Sequence, residues 1–307
     1  MQAQHILLLG ANGQLGYQLS TELLALGRVH ALTRVEADMS NPEGLRRSLT
    51  KATKLFKPTM VVNAAAYTAV DKAESETAQA MAVNAQSVGV LAEFAQSMGA
   101  CLVHYSTDYV FDGLGTLPWC ETDLPAPMSV YGQTKYLGEQ AIRKNCAKHL
   151  ILRTSWVVGA HGGNFLKTML RLAAERDSLR VVADQIGVPT STQLLADVTV
   201  SMLKTMQHAS EDDARWGTYN LAAAGETSWH AYAQHVVAGA LKRGAQLKAT
   251  PSSVASITTA EYSLPAPRPL NSRLNTDKLQ ATFVLTLPTW QQGVDQVLDE
   301  LLKVNNK

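Results

Sequence analysis

The stretch His5-Ile6-Leu7-Leu8-Leu9-Gly10-Ala11-Asn12-Gly13-Gln14-Leu15-Gly16 decides the fold. An unbroken apolar run with no polar alternation reads as a strand buried on both faces. Three glycines at three-residue spacing follow, and the chain then takes on helical periodicity. Glycines permit a tight turn and let backbone N–H groups approach a pyrophosphate closely. The start of the following helix adds partial positive charge for the same anion. Gly10, Asn12, Gly13, Gln14, Leu15 and Gly16 are the candidate contacts in this turn. A purely structural glycine turn is the competing reading. The position directly after a strand weighs against it.

Outward from that turn the pattern repeats. Short apolar runs recur at Val29–Leu32, Met60–Val62, Cys101–Tyr105 and Leu150–Leu152, with helical segments between most of them. Buried strands alternating with helices predict a parallel sheet covered on both faces, the doubly wound Rossmann-type α/β architecture. After about Trp156 the character changes. Helices are expected around Asn164–Arg176, Gln193–Met206, Trp229–Lys242 and Thr289–Lys303, with strand and loop over Val181–Pro189. Pro251–Arg268, rich in Pro, Ser and Thr, reads as a long surface loop. The expected division is a dinucleotide-binding domain over 1–156 and a smaller α/β substrate domain over 157–307, some segments of which return to the first.

Composition narrows the function. The 307 residues are 46% hydrophobic, enough for a sizeable core, and the formal net charge is +1 with scattered Lys and Arg. That gives no electrostatic reason to expect nucleic acid or an acidic membrane surface as partner. No apolar run approaches the roughly 18 residues of a membrane span. The first residues lack a signal-peptide pattern, so the expected location is the cytoplasm. Cys101, Cys120 and Cys146 match no metal or redox spacing and are expected as reduced thiols.

Several further positions sit where strands end. The second strand closes on Leu32-Thr33-Arg34. An acidic residue there would hold a ribose 2′-hydroxyl and repel a 2′-phosphate. Thr33 and Arg34 offer a hydroxyl and a guanidinium instead, so NADPH is expected, with NADH accepted at most equally; an Arg34 pointing into solvent is the alternative. Asp38 is either a loop aspartate near a helix cap or an acceptor for an adenine amino group. Ala64, Ala65 and Ala66 leave room for a ligand at a strand's carboxyl end, or simply pack against a helix. Thr68 is a candidate ligand contact.

The strand Cys101–Tyr105 runs on into Ser106-Thr107-Asp108-Tyr109, and Tyr131-Gly132-Gln133-Thr134-Lys135 follows. Tyr131 and Lys135 are four apart and share one helix face. Reducing a ketone by hydride leaves an alkoxide that needs a proton. A free tyrosine has a pKa near ~10, and a nearby ammonium is expected to lower it. Tyr131 would then act as general acid, Lys135 would support it and also hold the nicotinamide ribose, and Thr107 would hold the carbonyl oxygen.

Taken together these residues resemble the extended short-chain dehydrogenase/reductases, and within them the dTDP-4-dehydrorhamnose reductase family. The similar segments are Asn63–Glu74, His104–Phe111, Arg153–Val157 and Arg268–Leu274, which extend the likeness along nearly the whole chain. The resemblance implies catalytic Thr107, Tyr131 and Lys135, and cofactor contacts at Gly13, Gln14, Leu15, Asp38, Met39 and Ala64 to Ala66. It implies sugar contacts at Thr107, Asp108 and Trp156, with Ser106 and Tyr109 beside them; Trp156 has a core aromatic as its alternative. Arg268 and Arg273 would hold the diphosphate, or else are solvated loop arginines. The implied substrate is a dTDP-linked 4-keto-6-deoxysugar, reduced at C4 by NADPH.

Two rivals stand beside this reading. Nucleotide-sugar dehydratases carry an acidic pair after the active-site threonine, whereas Thr107 is followed by Asp108 and Tyr109. A non-catalytic cofactor-binding subunit is the other rival, against which the full Thr107, Tyr131, Lys135 set argues. Some relatives dimerise through magnesium held by carboxylates. The matching positions are Gln18, Gln193 and Glu300, of which two are neutral amides. No metal is therefore expected, and the chain is expected as a monomer or a weak metal-free homodimer.

Overall fold

The computed structural model describes residues 4–53 and 56–303. Strand β1 (Gln4–Leu9) enters the glycine turn, which leads into helix α1 (Gln14–Glu22). Then come β2 (Gly27–Leu32), α2 (Pro42–Thr53), β3 (Met60–Asn63) and the short helices α3 (Val70–Ala73) and α4 (Thr77–Met81). A π-helical turn (Ala82–Gln86) joins α4 to α5 (Ser87–Met98), and β4 (Cys101–Thr107), α6 (Val130–Asn145) and β5 (His149–Thr154) follow. The later helices are α7 (Phe165–Glu175), α8 (Thr192–Met206), α9 (Trp229–Lys242), α10 (Asp277–Phe283) and α11 (Trp290–Lys303).

Local chemistry sets several of these boundaries. Ser129, Asn164, Ser191 and Ser228 each accept a backbone N–H from the first turn of α6, α7, α8 and α9, satisfying donors that a helix start otherwise leaves unpaired. Gly99, with φ +67°, closes α5 in the left-handed conformation.

The strands form one parallel six-stranded sheet, in which β2, β1, β3, β4 and β5 lie side by side in that order and the strand Gly217–Asn220 completes the β5 edge. The chain runs from β1 to β2 on one side and then crosses to β3 on the other. The carboxyl ends of β1 and β3 therefore flank the switch point where such sheets bind ligands. Side chains alternate across the sheet: Ile6 and Leu8 join a core with α1, α8 and α9, while Leu7 and Leu9 join a second core with α2, α5 and Ile142 of α6. That division is why the β1 run is apolar at every position.

Two segments depart from the sequence reading. Val254–Ile257, within the expected Pro251–Arg268 loop, is a strand paired in parallel with Leu179–Val182. Its neighbours Ala255 and Ser256 are exposed, so only its two ends carry an apolar signal. Gly217–Asn220 carries too few apolar residues to read as a sheet strand, yet it pairs with Leu150–Arg153 of β5. It lies beyond residue 156, so the main sheet draws on both halves of the chain. Cys101, Cys120 and Cys146 are free thiols. Among the described residues no helix is long and apolar enough to cross a membrane.

Candidate active site

Every strand of the main sheet presents its carboxyl end to the same edge, and a divided cleft opens there. One part, of about 220 Å³, is lined by Gly10, Asn12, Gly13, Arg34, Asp38, Met39 and Ala64 to Ala66. The other, of about 600 Å³, shares Asn12, Gly13, Ala64 and Ala66 with it. It continues to Gln14, Leu15, Thr68, Ser106, Thr107, Asp108, Tyr109, Tyr131, Lys135 and Trp156.

The glycine turn is shaped by close approach. Gly10 has φ +78°, and a Cβ on it would sit 2.7 Å from the Ala65 nitrogen. A Cβ on Gly16 would lie 1.9 Å from the Gly10 carbonyl oxygen. Both sites exclude any other residue without backbone movement. Gly10 N–H and Ala11 N–H donate to the Leu32 carbonyl, tying the turn to the end of β2. No side chain caps the start of α1, and its first turn holds no acidic residue. Its free N–H groups open on the cleft and suit the pyrophosphate of a dinucleotide.

On the β2 side, Arg34 lines the cleft and its Nε lies 3.4 Å from Asp38, with both side chains well exposed. Asp38 Oδ1 accepts from the Ser40 N–H at 2.9 Å and the Ser40 hydroxyl at 2.8 Å. These bonds hold the carboxyl below its usual range. Thr33 does not line the cleft; its N–H and hydroxyl both donate to Glu36. Met39 is buried, its carbonyl held by the Ser87 hydroxyl.

At the catalytic end, Thr107 closes β4. Its hydroxyl accepts the Tyr109 N–H at 3.2 Å and donates to Asp108 Oδ1 at 3.1 Å. Burial pushes the Asp108 carboxyl up to about 6. Tyr131 packs edge-on against Tyr109, ring centres 5.4 Å apart. The expected depression of the Tyr131 phenol is not what the structure gives. Burial pushes it up to about 12, with only Thr107 pulling it back. The reason is where the ammonium points: Lys135 Nζ lies 2.6 Å from the Tyr105 carbonyl and 3.0 Å from His104 Nε2. Burial also brings Lys135 down to about 8, with Glu139 opposing. Glu139 itself is held by two bonds from buried Arg153, at 2.9 and 2.7 Å.

Arg268 and Arg273 do not line the cleft. Arg268 pairs with Asp71 at 2.6 Å, and Arg273 with Glu226 at 3.2 Å and the Asn271 side chain at 2.9 Å. Other residues reach the cleft without having been singled out. Trp229, at the start of α9, stacks on Trp156 with ring centres 3.6 Å apart. Gly162 and Gly163 approach from the loop before α7, and a Cβ on Gly162 would meet Gln14 at 2.7 Å. Trp156 adopts φ +45°, and its indole lies where a Cβ on Gly187 would be. Trp229 carried no sequence signal beyond its place after a helix-capping serine.

The sheet, the glycine turn at its switch point and a Tyr131–Lys135 pair beside a strand-end threonine define a reductase of the short-chain dehydrogenase type. More narrowly, residues 4–303 match the RmlD substrate binding domain family, and the chain belongs to it. It is 48% identical to the dTDP-4-dehydrorhamnose reductase of Shigella flexneri over 301 residues, covering 97% of this chain and 98% of that one. Among solved structures it resembles the Clostridium acetobutylicum dTDP-4-dehydrorhamnose reductase, with a TM-score of 0.85, 34% identity, and 96% and 99% of the two chains covered. The Bacillus anthracis dTDP-4-dehydrorhamnose reductase, solved in complex with NADP, gives a TM-score of 0.85 at 33% identity, covering 97% of this chain and all of that one.

Proposed function

We propose that this protein reduces the C4 keto group of dTDP-4-dehydro-L-rhamnose to give dTDP-L-rhamnose, with NADPH as reductant. The observation that carries this reading is the gathering of Thr107, Tyr131 and Lys135 around one cleft that continues into the glycine turn, in a chain whose relatives bear that activity in their names.

The residues present fit a dinucleotide. Gly10 and Gly16 leave no room for side chains where a backbone must come close, and the uncapped start of α1 offers N–H groups to a diphosphate. Gly10, Asn12, Gly13, Gln14, Leu15 and Gly16 would hold the pyrophosphate half, with Asp38, Met39 and Ala64 to Ala66 around the adenosine. Arg34, tied only to an exposed carboxylate, can turn to a 2′-phosphate. Thr33 plays a supporting part, its hydroxyl bound to Glu36. When bound, the reduced nicotinamide supplies the hydride.

The chain's own groups manage the proton. Tyr131, protonated throughout the physiological range, donates its phenolic proton to the oxygen at C4 as negative charge develops there. Lys135, titrating close to neutrality, stabilises the resulting phenolate and positions the ribose. Thr107 orders the carbonyl oxygen, its own hydroxyl aligned by Asp108 and the Tyr109 N–H. Thr68, Ser106, Asp108, Tyr109 and Trp156 surround the sugar. Arg268 and Arg273 reach the diphosphate only by leaving Asp71 and Glu226.

Residues 1–156 form the dinucleotide part and 157–307 mainly the sugar part. The protein acts in the cytoplasm, as a monomer or a weak metal-free dimer. The reaction is tested by adding purified protein to dTDP-4-dehydro-L-rhamnose and NADPH. One NADPH should be consumed per sugar reduced. Conversion of the sugar without net cofactor consumption would instead indicate a dehydratase or epimerase.

A further inference from the structure

Behind Lys135 lies a chain of hydrogen bonds whose directions can be assigned. The Ala65 N–H donates to Asn63 Oδ1 at 3.1 Å. A backbone amide can only donate, so the Asn63 carbonyl oxygen must face it. The Asn63 amino group then faces His104 Nδ1, at 3.0 Å. An amino group can only donate there, so Nδ1 carries a lone pair. His104 is 1% exposed and burial holds it well below its ordinary pKa, so the ring is neutral and has one proton. That proton is on Nε2, and Nε2 lies 3.0 Å from Lys135 Nζ.

A protonated lysine has three donors and no acceptor. Opposite an Nε2–H it meets another donor; a neutral amine offers a lone pair. Charging Lys135 without that conflict requires the ring proton to move to Nδ1. Asn63 must then turn its amide and give up the Ala65 N–H, which belongs to the segment lining the cofactor cleft.

We propose that His104 is a positioning residue of the reduction, clamped by Asn63 as the Nε2–H tautomer so that Lys135 readily gives up a proton. The inference rests on the reading of Tyr131 and Lys135 as the catalytic pair. After Tyr131 has protonated the sugar oxygen, the Lys135 ammonium turns from the Tyr105 carbonyl toward the phenolate and gives it a proton. The amine left behind accepts the His104 Nε2–H and recovers its proton from solvent through the cleft. The O–H and N–H bonds made equal those broken, and no electrons move in this step.

Other charged groups near Lys135 do not set this direction. Glu139, one turn along α6, raises the lysine and is shared with Arg153 of β5 and Arg143. Glu93 of α5 pairs with Arg46, and Asp71 of α3 with Arg268. Asp108 is bonded to Thr107, and His149 of β5 to the Cys146 carbonyl. Tyr109 lines the cleft, while Cys101 is a buried neutral thiol at the far end of β4. The π-helical turn Ala82–Gln86 carries no titratable side chain.

The test combines a tautomer measurement on the cofactor-free protein with a pH profile of NADPH oxidation. Nitrogen-15 NMR of the imidazoles, with His104 assigned by loss of its signals in His104→Gln or by through-bond correlation, should show the Nε2–H tautomer. In Asn63→Asp the new carboxylate can accept from both Ala65 N–H and an Nδ1–H, so His104 should switch to the Nδ1–H tautomer. Both variants relieve the opposition to the ammonium. The basic limb of the kcat profile should move up by about one pH unit, a tenfold change in the ratio of the two lysine forms. An Nδ1–H tautomer in the unmodified protein overturns the proposal. So does a basic limb that stays in place while kcat falls equally at every pH. Failure of turnover in the unmodified protein, with the expected tautomers seen, would instead strike the functional reading. Should His104→Gln not fold, Asn63→Asp decides the matter alone.

Discussion

Trp156 and Trp229 lie face to face, ring centres 3.6 Å apart and planes 17° from parallel, and together they form one wall of the catalytic cleft. Trp156 comes from the turn after β5 and is held at φ +45°, a conformation that L residues rarely adopt. Trp229 comes from α9, whose start is fixed by Ser228. The stack thus fastens a strained turn of the sheet edge to a helix of the second half.

Trp229→Ala should loosen that wall. The stacked pair is worth roughly 0.5–1.5 kcal/mol beyond its buried area. KM for the nucleotide sugar should rise by about fivefold to tenfold, in keeping with that energy, while NADPH binding stays nearly unchanged. Steady-state kinetics on both substrates checks this. An equal loss of NADPH affinity would place Trp229 elsewhere in the mechanism.

Asp108 gives a pH prediction with a definite sign. Its folded-state pKa of about 6 is above its ordinary 3.8. The folded state therefore binds this proton more tightly than the unfolded chain does. The stability it contributes is fully present below the unfolded value and is lost as pH rises through about 6. Asp108→Asn removes that loss and should stabilise the protein above pH 6, by up to about 3 kcal/mol for a shift of two units. Thermal unfolding at pH 5 and pH 8 should show the variant gaining about twice as much at the higher pH, since part of the loss already falls between 3.8 and 5. In the unmodified protein kcat/KM should fall toward acid with a limb near 6, and that limb should vanish in the variant.

The proposed role of Arg34 in the choice of cofactor gives a further test. Its partner Asp38 is exposed, so little holds the guanidinium back from a 2′-phosphate. Arg34→Ala should lower kcat/KM for NADPH by about tenfold and leave NADH little changed, the loss of one charge-assisted contact. Unchanged preference would show that the side chain remains in solvent.

Gln18 and Gln193 meet within the chain, the Gln18 amino group donating to the Gln193 carbonyl oxygen at 2.7 Å and both amides reaching Glu22. Among the described residues no group of three or more His, Cys, Asp or Glu is placed to hold a metal ion. Two amides bound to each other bring little charge to offset a dication. Sedimentation should give the same distribution with EDTA and with added magnesium. A dimer that EDTA dissociates and magnesium restores would contradict this.

Much of the nucleotide-binding half was legible because its signals are local. The β1 run must be apolar at every position when cores lie on both faces, and the glycines must be bare where Gly10 meets Ala65 and Gly16 meets Gly10. Tyr131 and Lys135 share a face by helix geometry alone. What depends on tertiary contact was not legible. Gly217–Asn220 has no strong strand pattern of its own and is ordered by β5 beside it. The Val254–Ile257 strand lies in a segment that reads as loop and is set by pairing with Leu179–Val182. The Lys135 amine is bonded to the Tyr105 carbonyl and to His104, thirty-one residues away in sequence, and the tyrosine expected to be lowered is raised by its burial. Trp229 reaches the cleft only because α9 packs there.

Tyr131→Phe tests the central claim most directly. The ring keeps its packing against Tyr109, and only the proposed proton donor is lost. NADPH oxidation with dTDP-4-dehydro-L-rhamnose should fall by roughly 10²–10⁴-fold, the usual contribution of a positioned general acid. NADPH should still bind with near-normal affinity. If the variant instead turns over at a rate close to that of the unmodified protein at neutral pH, Tyr131 is not the acid and the account of the site is wrong.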